Sequence, residues 1–201
     1  MPPPFKVELA NHDPHWLAAA LAEASVLHDA LGSALLFVHH VGSTAIPGLR
    51  AKPILDLLPV VRSLCEMDLR KTNLEQIGYD WWGEFGLPGR RYATKNEPST
   101  GRRLVQLHCY AIGAPDIDRH LAFRDHLRKR PEVVAAYEIE KARCRALYPD
   151  DSHAYGACKS AWIEAVETAA LTDWRGSSVG RDYLSRPTGR KPPRTDVALP
   201  G

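Results

Sequence analysis

The sequence has few cysteines and no apolar run of membrane-spanning length. Its four cysteines form no C-x-x-C pair; they are Cys65, Cys109, Cys144 and Cys158. Their scatter argues against a disulfide framework or a zinc site and favours reduced thiols in the cytosol. No apolar run approaches the roughly 18 residues of a membrane-spanning helix, and the N-terminus lacks the basic-then-apolar pattern of a secretory signal. These absences predict a cytoplasmic protein with no membrane partner.

Neither sign of charge is in large excess. Lysine and arginine number 26 and the acidic residues 24, which gives a formal net charge of +2. This balance gives no reason to expect nucleic acid as a partner, and it does not exclude phosphate ligands. Residues 172–201 are rich in Gly, Pro, Ser and Arg without periodicity, which predicts a disordered, solvated basic tail. Residues 1–171 are predicted to form a single domain.

Hydrophobic periodicity predicts an α+β domain. Apolar residues at helical spacing predict helices at residues 14–31, 66–77, 116–129, 132–147 and 152–171. Runs rich in β-formers predict strands at 34–41 and 53–61, and the alternating segment 78–112 predicts two or three antiparallel strands. The expected architecture is one mixed or antiparallel sheet with flanking helices and a helical C-terminal part.

A Gly-Ser turn, Gly42-Ser43, follows the first predicted strand. Glycine in this place lets a phosphate approach the backbone closely, and a helix start after it offers N–H groups. Ser43 adds a hydroxyl donor, and Lys52 at the far end of the loop would neutralise phosphate charge. The pattern matches neither the Walker motif nor the dinucleotide fingerprint. A plain turn without a ligand is the open alternative.

Asp56 is the one carboxylate in the apolar run 54–58. Such a group costs free energy to bury unless it is paired, hydrogen-bonded or bound to a metal, which favours a site residue over a structural one. A two-metal clamp would need a second acid on the same strand face, at position 58. That residue is Leu58, so a two-metal site on this strand alone is excluded.

Another acid and a histidine are candidates to complete a site for a single Mg²⁺. Glu84 lies near glycines at a predicted strand end, and Mg²⁺ typically uses one or two carboxylates together with water and substrate phosphates. A salt bridge from Glu84 to Arg90 or Arg91 is the equally favoured alternative. His108, on a predicted strand, suits a metal ligand or a general base, although its sequence context slightly favours a hydrogen-bonded core histidine.

Cations in three later segments are candidates to bind phosphate. Arg90 and Arg91 lie in one predicted hairpin, and strand alternation sends them to opposite faces, so at most one should reach a shared pocket. Arg124 lies on a predicted helix, and Lys159 precedes an apolar helical run. Solvent exposure is the alternative for the charged turn and for Lys159.

Several of these segments occur together in a known family. The string HVGSTAIPGL at residues 40–49, followed by AKPILD at 51–56, resembles the signature of the GrpB family. Other matching features are Gly83-Glu84, Pro88-Gly89-Arg90-Arg91, Leu107-His108, the run 120–128, and Lys159 with Trp162-Ile163. The resemblance covers residues 6–171. The GrpB family in turn resembles the C-terminal extension of some dephospho-CoA kinases.

The resemblance implies a nucleotidyltransferase-like fold. In that superfamily a Gly-Ser turn, here Gly42-Ser43-Thr44, holds a triphosphate, and acids on the following strand hold metal. GrpB-type sequences commonly lack the second acid of the superfamily pattern, as this one does. Many relatives carry a His-x-His pair where this sequence has Gln106 and His108, which argues against a metal site of two histidines.

Three functions are compatible with these features. The first is an enzyme that transfers a nucleotidyl or related group from a nucleotide to a small molecule, with Lys52, Asp56 and His108 catalytic. A single Mg²⁺ would then bind Asp56 and Glu84. The second is a non-catalytic module that binds a nucleotide or an anionic metabolite, which the missing carboxylate favours. The third, acyl or aminoacyl transfer through an adenylate, would use the same triphosphate site.

Overall fold

A computed structural model of the chain describes residues 3–176. The elements in chain order are α1 (His15–Leu31), β1 (Leu35–Val41), β2 (Leu55–Val61), α2 (Leu64–Leu69), α3 (Lys71–Gln76), β3 (Tyr79–Trp81), β4 (Arg90–Asn96), β5 (Arg103–Ala111), α4 (Pro115–Arg128), α5 (Pro131–Leu147) and α6 (Ser152–Gly176). Short 3₁₀ turns cover Gly32–Ala34 and Ser43–Ala45.

Local sequence signals set several helix boundaries. Asp13 accepts a hydrogen bond at its Oδ1 from the backbone N–H of His15 (2.9 Å) at the start of α1. Ser63 caps α2 by accepting from the N–H of Glu66 (3.1 Å). Proline opens α4 and α5, where a missing N–H costs nothing. As a result, α1, α4 and α5 begin within one residue of their predicted starts.

The five strands form one mixed sheet in the order β1-β2-β5-β4-β3. β2 and β5 run parallel, and the other neighbouring pairs are antiparallel. The register places Asp56 of β2 beside Gln106 of β5, so strand alternation puts Asp56, Gln106 and His108 on one face of the sheet. The predicted α+β architecture, with flanking helices and a helical C-terminal part, is confirmed.

Helices cover both faces of the sheet. The face opposite Asp56 packs against α1, α2 and α3 through a core that includes Leu27, Leu57 and Leu107. The face that carries Asp56 packs against α4 and α6 at its far end, around Leu58 and Tyr110. The near end of that face, at the start of β2, is left open beneath α5 and α6.

Two predicted helices differ from those observed. The single helix predicted at 66–77 is two helices, because the chain leaves the helical conformation at Arg70 and Leu69 is 82% exposed rather than packed. The helix predicted to end at Leu171 continues to Gly176, since Trp174 is buried in the core beside α4. Residues 177–201 of the predicted tail lie outside the described residues. Among residues 3–176, no helix combines the length and the apolar character needed to cross a membrane.

The expectation of reduced thiols is wrong for two of the four cysteines. Cys144 of α5 and Cys158 of α6 form a disulfide, with their Cα atoms 5.8 Å apart. Cys65 and Cys109 are free thiols. Spacing along the chain did not reveal the pair, because the two cysteines meet only when α5 and α6 pack against each other.

Candidate functional site

A cavity of about 260 Å³ lies at the open end of the sheet, where β2 begins. Its lining comes from the β1–β2 loop, three strands and three helices: Val41, Gly42, Ser43, Thr44, Lys52, Ile54, Asp56, Gln106, His108, His120, Lys141, Tyr155 and Lys159. Seven of the predicted site residues are therefore brought together here. They are Gly42, Ser43, Thr44, Lys52, Asp56, His108 and Lys159.

Gly42 is packed directly against Asp56. Its φ of 68° and ψ of −169° belong to a region that is essentially restricted to glycine. A Cβ atom built on Gly42 would lie 2.3 Å from Oδ2 of Asp56 and 2.8 Å from its Cβ. The missing side chain therefore allows the loop backbone and the carboxylate to occupy neighbouring positions on one wall of the cavity.

The loop that follows Gly42 is held by buried hydrogen bonds. Thr44 is buried, and its Oγ1 lies 2.9 Å from Nε2 of His40 and donates to the carbonyl of Ile54 (3.4 Å). Burial lowers the pKa of His40 to about 4, so this imidazole is neutral at physiological pH. Ser43 shares a hydrogen bond with the hydroxyl of Tyr137 on α5. These contacts fix the loop to β1, to the residue before β2 and to α5.

Three lysines from three segments converge on the cavity. Lys52 comes from the β1–β2 loop, Lys141 from α5 and Lys159 from α6. The ammonium of Lys159 lies 4.2 Å from the centre of the Tyr155 ring, and Lys141 donates to the carbonyl of Arg50. Burial, together with the neighbouring cations, lowers the pKa of Lys159 to about 7 and that of Lys141 to about 8. The cavity is therefore cationic, with Asp56 as its one carboxylate among the described residues.

The buried charge of Lys159 predicts a pH-dependent gain of stability in the variant Lys159→Met. In the unfolded chain Lys159 keeps its proton up to about pH 10.5, whereas in the folded protein it loses it near pH 7. The unfolded state thus binds more protons than the folded state between these pH values. The loss of folding free energy caused by burying the charged Lys159 is therefore largest below pH 7 and decreases as pH rises. The variant should melt a few degrees higher at pH 6, since about 1 kcal/mol shifts Tm by roughly 2–4 °C in a domain of this size.

Thermal melting at pH 6 and pH 9 checks this effect. The gain should shrink toward pH 9, where wild-type Lys159 is neutral. The same exchange at Lys129, which is exposed, serves as the control and should change Tm equally at both pH values. If Lys159→Met melted below wild type at pH 6, the inference that burial of the Lys159 charge destabilises the protein would be wrong.

Two histidines line the same cavity as Asp56. His108 Nε2 lies 3.5 Å from Asp56 Oδ1, and the His108 ring is 5.5 Å from the ring of His120. Nδ1 of His108 is buried and has no hydrogen-bond partner within residues 3–176. Burial, followed by the charge of His108, holds the pKa of His120 well below its usual value. One nitrogen of His108 thus lies near the carboxylate, while His120 stays neutral.

Glu84 is not part of this cavity. Its Oε1 accepts from the backbone N–H of Gly89 (2.8 Å) and lies 3.6 Å from Arg91, and its side chain is half-exposed. The structure therefore places Glu84 in the ion pair that the sequence offered as its alternative. The predicted Asp56–Glu84 pair is not brought together in the cavity.

The three predicted phosphate-binding arginines also lie away from the cavity lining. Arg90 is buried and donates to the carbonyl of Phe85 (2.7 Å). Arg91 lies on the opposite sheet face, as predicted, and pairs with Asp68 of α2 (2.5 Å). Arg124 is buried, pairs with Asp125 (2.7 Å) and donates to the carbonyl of His40 (3.2 Å). Arg90 therefore holds the turn that precedes β4, and Arg124 ties α4 to β1.

Sequence reasoning missed Lys141 and Tyr155 as site residues. Lys141 is only 2% exposed and lies on the same face of α5 as Tyr137 and Cys144, which are one turn away on either side. A lysine within such a buried helical face is an available signal, because its charge requires a partner or a ligand. The packing of α6 against α5 and the N-terminal segment, which buries Tyr155 at the site, has no comparable signal.

The donor atoms suit one hard cation. Mg²⁺, which the family resemblance implies, binds one or two carboxylates and takes its other ligands from water and phosphates. Asp56 offers a carboxylate that is 29% exposed, and the amide of Gln106 neighbours it in the sheet register. Leu58, in contrast, is completely buried. The residues therefore fit a single ion held by Asp56 and by a ligand's phosphates, whose charge the ion would neutralise.

Comparison with known proteins identifies close relatives. A family model described as GrpB protein matches residues 6–169. UPF0157 protein YqkA of Bacillus subtilis (strain 168) is 36% identical over 168 residues, which are 84% of this chain and 48% of the Bacillus protein. The conserved protein GrpB from Enterococcus faecalis has a crystal structure that superposes with a TM-score of 0.77 at 37% identity, covering 83% of this chain and 99% of that one.

A more distant relative has a named activity. The dephospho-CoA kinase of Mycolicibacterium paratuberculosis (strain ATCC BAA-968 / K-10) is 29% identical over 197 residues, covering 86% of this chain and 47% of the kinase. The chain thus spans about half the length of this kinase and of the Bacillus protein. Both resemblances predicted from the sequence are confirmed.

Proposed function

The chain belongs to the GrpB family, and we propose that its cationic cavity binds a nucleoside triphosphate or another activated nucleotide together with a single Mg²⁺. The nucleotide would donate a nucleotidyl or related group to a small molecule. In a nucleotidyl transfer the acceptor oxygen bonds to the α-phosphorus while the bond between that phosphorus and the β-phosphate oxygen breaks, so pyrophosphate leaves.

One observation carries this proposal: three lysines from separate segments line one cavity that also contains Asp56. Like charges gathered in a partly buried place destabilise the empty protein, and a polyanion would remove that cost. A phosphate chain supplies the negative charge, but the carboxylate would repel it unless a cation lay between them. A triphosphate with Mg²⁺ satisfies both the lysines and Asp56.

Six further residues of the cavity have a place in this proposal beside Asp56. Gly42 allows phosphate to approach the backbone, and Ser43 supplies a hydroxyl beside it. Lys52, which lines the same cavity as Asp56, would offset charge that develops on the transferred group. His108 would accept the proton of the attacking group or ligate the metal. Lys141 and Lys159 would bind the leaving phosphates.

The variant Asp56→Asn tests the proposal. Melting curves of wild type and variant would be compared with ATP, GTP, CTP, UTP and CoA, each with and without Mg²⁺. We expect Mg²⁺ to enlarge the stabilisation of wild type by one nucleotide, because a ligand of the native state raises Tm by mass action. The variant should keep its fold and lose the Mg²⁺-dependent part, and release of pyrophosphate should fall by roughly 100-fold or more. Asp150→Asn, an exposed change, is the control.

A binding module without catalysis is the second candidate, and the burial of Leu58 favours it. The position that would carry a second metal carboxylate is completely enclosed by apolar packing. A nucleotide that stabilises the protein without Mg²⁺, and does so equally in Asp56→Asn, would support the module and contradict the transferase. Absence of stabilisation by all five ligands would contradict both.

A further inference from the structure

A second cavity, of about 310 Å³, adjoins the cationic one. The two share the side chains of Lys52 and Ile54. Beyond Lys52, the second cavity is lined by the N-terminal segment, including Phe5, and by the ends of β4 and β5, including Asn96 and Arg103. The two cavities therefore meet at Lys52 and Ile54.

The N-terminal wall of this second cavity is fixed in place. The backbone N–H of Phe5 donates to Oγ of Ser152 at the start of α6 (3.2 Å), and that of Val7 donates to the carbonyl of Pro149 (2.7 Å). Ala10 forms a bridge with Ala51 in the loop that carries Lys52. The segment that carries Phe5 is thus anchored both to α6 and to the loop of Lys52.

The chemistry of the second cavity differs from that of the first. It has an aromatic ring, Phe5, and apolar surface from Pro53 and Ile54. The guanidinium of Arg103 lies 5.9 Å from the centre of the Phe5 ring, and the ammonium of Lys52 lies 4.9 Å from it. Arg103 is buried and is oriented by Asn96, whose Oδ1 accepts from its Nε (2.7 Å). Aromatic rings and guanidinium planes are the surfaces on which flat heterocycles stack.

We propose that the second cavity takes the base of the nucleotide whose phosphates the first cavity binds; this inference rests on the proposed function. A ligand that spans both must be polyanionic at the lysines and flat at Phe5, with Lys52 between the two ends. A nucleoside triphosphate has this arrangement. The combined space falls in the range of about 300–1,000 Å³ that small-molecule sites occupy.

The test compares inorganic tripolyphosphate with the nucleoside triphosphate that binds best, both with Mg²⁺, by calorimetric titration. Phe5→Ala should weaken the affinity for the nucleotide by roughly 5- to 150-fold, which is the effect of losing one base–aromatic stack. The affinity for tripolyphosphate should stay unchanged. Phe5→Tyr keeps the ring and should bind both as wild type does. Tyr148→Ala, which removes an exposed ring outside both cavities, is the matched control.

Each other outcome overturns the inference in a distinguishable way. If tripolyphosphate and nucleotide both bind and Phe5→Ala changes neither, the base lies elsewhere and the phosphate site stands. An equal loss for both ligands would mean that Phe5 acts through Lys52 or the fold. If neither ligand binds wild type, the proposed function fails, and the base cavity fails with it.

Discussion

The variant Gly42→Ala is expected to displace Asp56, to lower the free energy of unfolding by roughly 2–5 kcal/mol and to remove Mg²⁺-dependent nucleotide binding. Two costs add in this variant. Alanine is strained at the backbone angles of Gly42, and its Cβ would overlap the carboxylate 2.3 Å away. Because the nearest atoms include Cβ of Asp56 on a central strand, a small rotation of the carboxylate does not relieve the overlap.

The binding loss follows from what surrounds Gly42. The loop cannot move away freely, because Thr44 is tied to His40 and to the carbonyl of Ile54. The overlap must therefore push the carboxylate away from the position that would bind the ion. Ser43, which follows directly in the chain, would shift with the loop. One methyl group thus changes both the metal end and the phosphate end of the candidate site.

Gly48→Ala is the matched control for this variant. Gly48 lies in the same loop and also has a positive φ, of 78°, but a Cβ there would meet no atom within 4 Å. We expect it to cost about 1–2 kcal/mol through backbone strain and to leave nucleotide binding unchanged. Urea unfolding gives the stabilities, and melting curves with nucleotide and Mg²⁺ give the binding. Wild-type binding by Gly42→Ala, or equal losses in both variants, would contradict the role assigned to the contact with Asp56.

Strand periodicity explains which parts of the site were predictable. Asp56 and His108 are polar residues within largely apolar strands. Because side chains alternate between the two faces of a sheet, the observed pairing of β2 with β5 is enough to place both residues on the same face. The same rule separated Arg90 from Arg91, and the register confirms that separation. For Glu84 the sequence offered a metal site and an ion pair equally, and only the turn that brings Gly89 and Arg91 to its carboxylate distinguishes them.

Contacts between distant segments explain what the sequence did not reveal. Arg124 could be placed on a helix, but its partner, the carbonyl of His40, lies 84 residues away. Lys141 and Tyr155 reach the cavity only because α5 and α6 pack over the open end of the sheet. Periodicity indicates which face of a helix is buried. It does not indicate which part of the sheet that face covers.

Reduction of the Cys144–Cys158 disulfide is expected to lower the free energy of unfolding by about 3 kcal/mol, equivalent to roughly 6–12 °C in Tm. The two cysteines are 14 positions apart, and a loop of about this length accounts for a cost of that size through the entropy of the unfolded chain. Oxidised protein, once denatured, should present two reactive thiols, Cys65 and Cys109. Four reactive thiols would show that the purified protein lacks the bond.

The melting experiment needs a chelator, because the reduced site has a second way to hold the helices together. Ligand atoms of Glu140, Cys144 and Cys158 lie within 4.8 Å of one another, so zinc could replace the bond once the thiols are free. With EDTA present, the reductant should lower Tm in wild type and leave Cys144→Ala/Cys158→Ala unchanged. An equal fall in both proteins would show that the effect does not come from the Cys144–Cys158 bond.

The disulfide also lies close to the candidate site, because each of its cysteines is near a cavity lysine in the chain. Lys141 lies one turn before Cys144 on α5, and Lys159 directly follows Cys158 on α6. The disulfide therefore fixes the two helices close to the lysines that would bind phosphate. Reduction should weaken tripolyphosphate binding at temperatures where the protein is still folded. An unchanged affinity would mean that the packing of Tyr137 on Trp162, whose rings stack 4.7 Å apart, positions both lysines without the bond.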